Sequence, residues 1–335
     1  MNSPTPYSSH LRSLIDDVVQ RDQSNSLSDN VKGHIQVITE QYMRNVVPAE
    51  EIASGIRDLW YILVQAAKNI TTHIHRQDTI IRYLIAVQAL GPLQRPQPVI
   101  FSDGHTLWSG LPLLGSTLVN EFTDQYYQRS YAAEQRENMG GFIGRLLSAR
   151  IYNGPALCAL SLFRETFETS RPLIQSTDTE EALEEQLPLE DLTRALTELS
   201  QNSEYSLAIL SSQQSLAVTA TMIDYADHPH LSDLGDLARQ AGITTTAPQT
   251  AYNPQRWGFW IQRLKTLSKC GIESIEGNAR ACLGPMMAAG NSTGLLVTEA
   301  MEKDDVFHKQ CCERRGECTG TPGVVGLQRK LFFGA

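Results

Sequence analysis

Between Pro48 and Ile70 the apolar residues Ile52, Ile56, Leu59, Trp60, Leu63, Val64, Ala67 and Ile70 recur at spacings of three and four. On a helix of 3.6 residues per turn that spacing makes one continuous stripe, which has to be buried against other helices. Pro48 suits the start of the helix, and Glu50 and Glu51 suit the positive end of its dipole. The same period returns along the chain. It predicts helices over 11–21, 31–44, 79–90, 113–129, 132–152, 155–169, 189–200, 203–226, 231–241 and 254–270, with the polar stretch Asp22 to Asp29 separating the first two. Gly91-Pro92 ends the 79–90 segment, because glycine caps a helix and proline cannot continue it. No run shows sustained alternation with β-branched enrichment, and no Asn-Gly or Asp-Gly turn joins two apolar runs. The fold class is therefore all-α, an irregular multi-helix bundle or helical-array-like domain without significant sheet.

Three stretches fall outside the helical pattern. Gly91 to Pro112 holds four of the 15 prolines and reads as an extended loop that brings Phe101, Trp108 and Leu111 against the helices. Thr177 to Asp191 is acidic and interrupted by Pro188, as in a solvated linker or a short exposed helix. From Asn291 the composition shifts to Gly, Thr, Cys and mixed charge, which predicts a disordered or non-native tail. The expected organisation is N-terminal helices over 1–47, a single helical domain over 48–290 and the tail over 291–335.

Charge and cysteine usage narrow the function classes. A net charge of −9 with no dense Lys/Arg run opposes binding to nucleic acid or to an anionic membrane surface. The chain lacks the basic start and apolar core of a signal peptide, and no stretch reaches the ~20 apolar residues of a membrane helix. Cys158, Cys270 and Cys282 lie in apolar helical segments, where free cysteine packs as a small hydrophobe, so a reducing cytoplasmic setting is expected. The sequons at Asn69 and Asn291 are read as coincidental.

Few constellations carry chemistry. Asp224 and Asp227 share one helix face, with His228 and His230 at its end. Such a set can hold a divalent metal, but a second segment would have to supply further ligands and none is evident, so a polar helix end is the simpler reading. His73 and His75, two apart, diverge on a helix. Cys311, Cys312 and Cys318, with His308, lack a standard zinc spacing. Gly140-Gly141-Phe142-Ile143-Gly144 has no preceding strand and no Lys-Ser/Thr ending, which leaves close helix packing as its reading. Arg256, Trp257 and Trp260 fit either the aromatic rim of a ligand pocket or a packed core, and core packing is the simpler of the two. The candidate pocket residues are thus Trp108, Arg256, Trp257, Trp260, Asp224, Asp227 and His228. No metal or cofactor is implied, and no catalytic set is recognisable.

Several stretches in order carry a resemblance: Leu59-Trp60 through Ala66-Ala67, Gln77-Asp78 with Leu84, Trp108-Ser109-Gly110-Leu111-Pro112, Asn138 to Leu147, and Arg256-Trp257-Gly258-Phe259-Trp260 with Arg263-Leu264. Across Ile52 to Ala288 they resemble an ascomycete family of unknown function whose members include the cluster protein G of oxopyrrolidine biosynthesis. The resemblance implies a fungal cytosolic helical protein, encoded in some genomes beside polyketide/amino-acid hybrid biosynthetic genes. It supplies no catalytic residues. Three readings remain open: an accessory protein that binds a small molecule or protein partner, an enzyme such as a cyclase or isomerase with an unrecognised helical active site, and a helical interaction scaffold.

Overall fold

The stripe of the 48–70 segment is buried as its spacing requires. In the computed structural model of the chain Ala49–Asn69 is one helix, and Ile52, Ile56, Leu59, Trp60 and Leu63 are fully excluded from solvent. Each such aliphatic side chain contributes roughly 2 kcal/mol on transfer from water. The structure describes residues 13–15, 17, 24–45, 47–70, 76–95, 98–174, 186–213, 231, 233–244 and 251–295, with the backbone alone over 24–28. Contacts cluster Met1–Thr298 and Glu299–Ala335 as separate units, and the described residues lie in the first. Among the described residues there is no strand, only an isolated bridge between Ile100 and Thr106, and no helix is long and apolar enough to cross a membrane.

The helices, in order, are α1 (Ser24–Arg44), α2 (Ala49–Asn69), α3 (Arg76–Ala89), α4 (Leu114–Glu121), α5 (Ala133–Ser148), α6 (Pro155–Phe163), α7 (Leu189–Ser212), α8 (Asp236–Gln240), α9 (Pro254–Leu267) and α10 (Glu273–Ser292). α1 packs on α2, α5 on α7, and α7 on α10, which in turn meets α9. Glycine permits the closest of these crossings. A Cβ on Gly140 would lie 2.3 Å from the Ala195 carbonyl oxygen and one on Gly144 2.6 Å from that of Leu199, so α5 lies against the backbone of α7. The Gly140–Gly144 run is thus a helix-packing feature, as its sequence context indicated.

Several element boundaries differ from expectation. α1 begins at Ser24, inside the polar stretch expected to separate two helices. Neither Pro nor Gly interrupts the chain there, and the buried stripe Val31, Ile35, Ile38 and Tyr42 anchors the helix as one piece. α7 runs unbroken through Gln201 and Asn202, where two segments were expected. Asn202 and Ser203 bond back to the carbonyls of Glu198 and Leu199, so these polar residues sit in the helix without ending it. The 231–241 segment is helical only from Asp236, because the Gly235 N–H is directed to the Glu168 carboxylate. α4 and α6 each run into a five-residue π-helical turn, Phe122–Tyr126 and Arg164–Glu168. Of the expected helix over 11–21, residues 13–15 and 17 are described and helical; the rest of it, His73 and His75, most of the acidic stretch, the 214–226 part of the expected 203–226 helix and the cysteines beyond 295 lie outside the described residues.

The stretch before α4 is the extended loop expected, with Phe101, Trp108 and Leu111 buried. Its backbone is tightly bent: Trp108, Leu111 and Leu113 have φ of 63°, 49° and 64°, a left-handed conformation that bulky residues seldom adopt. Side chains hold it. Asp103 accepts from the His105 N–H at 3.1 Å and the Leu113 N–H at 2.5 Å. Trp60 donates to the Pro112 carbonyl at 2.7 Å, and Trp108 donates to the Thr39 hydroxyl at 2.9 Å.

Candidate functional site

α9 owes its start to local sequence. Asn253 is its N-cap and accepts from the Arg256 N–H at 2.8 Å, and Pro254 follows at the first helical position. One turn on, Arg256 and Trp260 share the helix face that meets the π-helical turn Arg164–Glu168. The wider turn, closed by a bond from the Thr169 N–H to the Arg164 carbonyl, leaves Glu168 facing α9. Arg256 and Glu168 have no solvent exposure, and their ion pair is bidentate: Nε to Oε1 at 2.8 Å and Nη2 to Oε2 at 2.9 Å.

The carboxylate is saturated. Trp260 Nε1 donates to Oε1 at 2.7 Å and the Gly235 N–H to Oε2 at 3.1 Å, so Glu168 accepts four bonds in all. The guanidinium also donates through Nη1 to the Ala251 carbonyl at 2.8 Å and lies 5.8 Å from the Trp260 ring. A buried charge is tolerated when it is paired and hydrogen-bonded in this way. The pair ties α6, the approach to α8, the 251–253 segment and α9 to one point. A reciprocal contact strengthens the tie, since Asp236 of α8 accepts from the Ser170 N–H at 3.0 Å.

Around this centre the aromatic rings form a continuous layer. Trp260 packs on Phe163 at 4.5 Å between centroids, on Tyr252 at 6.2 Å and on Trp257 at 6.3 Å. Tyr252 donates to the Ala156 carbonyl at 2.7 Å. Burial raises its phenol well above the ordinary range, against the opposing effect of Arg256, so it remains protonated. Trp257 lies against α10, where a Cβ on Gly290 would come within 2.7 Å of its indole nitrogen. That nitrogen is buried and has no hydrogen-bond partner among the described residues.

The sequence candidates therefore divide. Arg256, Trp257 and Trp260 are brought together. Trp108 has a different set of neighbours: it meets Trp60 edge-on at 6.4 Å and bonds α1 through Thr39. Asp224, Asp227 and His228 lie outside the described residues. Glu168, on which the centre depends, is not among the candidates. Its only sequence signal is a single carboxylate at the end of an apolar helix, which a capping residue would give equally well.

A second buried centre lies between α2, α3 and α5. Gln77, fully buried, donates to the carbonyls of Ala67, Ile70 and Asn138 at 3.0–3.2 Å and accepts from Arg145 at 3.1 Å. Arg145 also pairs with Asp78 at 2.9 Å, and Asn138 donates to the Lys68 carbonyl at 2.9 Å. These bonds satisfy the carbonyls left open at the end of α2. In a third centre Arg136 holds the end of the first π-helical turn, donating to the Tyr126 carbonyl at 3.1 Å and the Gln128 carbonyl at 2.8 Å and pairing with Asp191 at 3.3 Å. Burial lowers the Arg136 pKa, while Asp191 opposes the shift. Among the described residues no group of three or more His, Cys, Asp or Glu side chains is placed to hold a metal.

Fold and centres together define an all-helical protein whose buried polar groups fasten helix ends and loops to one another. Residues 60–264, well over half of the chain, match the model of a family described as "Protein of unknown function (DUF3632)", and the chain belongs to that family. No curated protein and no solved structure matches it. Glu168, Gly235, Arg256, Trp260, Gln77, Asn138 and Arg145 all fall inside the matched span.

Proposed function

We propose that the chain is a cytoplasmic accessory protein of fungal secondary-metabolite biosynthesis, of the oxopyrrolidine (polyketide/amino-acid hybrid) type, which binds a small molecule or protein partner and catalyses no step itself. The biosynthetic setting rests on the resemblance carried by the stretches from Leu59-Trp60 to Arg263-Leu264. What supports the non-catalytic role is the saturation of Glu168. Its four acceptor bonds all go to groups of the fold, so the most buried carboxylate among the described residues of the family span has no bonding capacity left for a reacting atom. Arg256 and Trp260 are engaged in the same way. Among the candidate pocket residues, Trp257 is the one whose indole N–H the described residues leave without a hydrogen bond, and it is packed against Gly290 of α10.

Deletion of the gene, followed by metabolite profiling of the strain, tests the role. An accessory protein predicts lower titres of the same products. Accumulation of a new intermediate would establish a catalysed step instead, and an unchanged profile would remove the link to biosynthesis.

A further inference from the structure

We draw no further inference here: the strongest candidate, the side-chain cluster linking the two π-helical turns in which Tyr127 meets Ser161 at 2.8 Å and Glu165 pairs with Arg164 and Arg171, joins groups of the fold to one another, and nothing in the structure shows what else would occupy it.

Discussion

Replacing Arg256 with Met removes both donors that reach Glu168 from the guanidinium, at 2.8 and 2.9 Å, and strands a carboxylate with no solvent exposure. Trp260 and Gly235 still donate to it, but no positive charge remains beside it. Breaking a buried pair from one side costs about 3–5 kcal/mol, chiefly the penalty of the unpaired charge. The Ala251 carbonyl also loses its donor, for about 1 kcal/mol more. Glu168→Gln alone leaves the guanidinium unpaired and falls in the same range. The double variant Glu168→Gln/Arg256→Met has no charge to strand. The amide oxygen of the glutamine still accepts from Trp260 or Gly235, so its cost is about 2 kcal/mol. Urea unfolding followed by far-UV circular dichroism and by tryptophan fluorescence measures all three. A double variant clearly more stable than either single one is the expected outcome. If the two single losses simply add, the side chains are not coupled and the account of the centre is wrong.

Three further outcomes follow from local geometry. Gly140→Ala, which drives a Cβ to 2.3 Å from the Ala195 carbonyl oxygen, should cost about 2–3 kcal/mol in the same assay. Gly277→Ala meets nothing within 4 Å on α10 and should stabilise by about 0.5–1 kcal/mol, so equal effects at the two glycines would contradict the packing. Burial pushes the Cys282 thiol from 9.0 up to about 11, against opposing bonds from Thr197 and Ser200. The folded state thus holds a neutral thiol: its contribution is intact below pH 9 and is lost as pH rises from 9 to 11. Peptide-resolved alkylation at pH 8.5 should leave Cys282 unmodified until urea unfolds the chain, and rapid native labelling would refute its burial.

Much of this fold is legible in the sequence because helix stripes are local. Ile52 to Ile70 and Arg256 to Leu267 reveal their buried faces by spacing alone, and Gly91-Pro92 marks a real helix end at a glycine with φ of 68°. The boundary differences arise where tertiary contacts decide. Gly235 leaves the helical pattern to bond Glu168, and α1 extends back to Ser24 through a stretch whose composition suggests a break. α10 is hard to see because Gly277, Gly284, Pro285 and Gly290 dilute its stripe of Ile275, Ala279, Cys282 and Met286. The site was half legible. Arg256, Trp257 and Trp260 stand one turn apart and announce a common face, whereas Glu168 lies 88 positions from Arg256, and no periodicity links residues so distant. Trp108 carried the same aromatic signal and belongs to another centre, since composition names residue types without naming neighbours.

The central claim is that the polar centre at Glu168 is framework and takes no part in chemistry. Complementation of the deletion strain with Glu168→Gln/Arg256→Met tests it most directly, with the variant's helicity confirmed by circular dichroism and its cellular level by immunoblot. A folded variant at normal level is predicted to restore product titre as the wild-type chain does. A folded variant that fails to restore it would give Glu168 and Arg256 a functional role and contradict the claim.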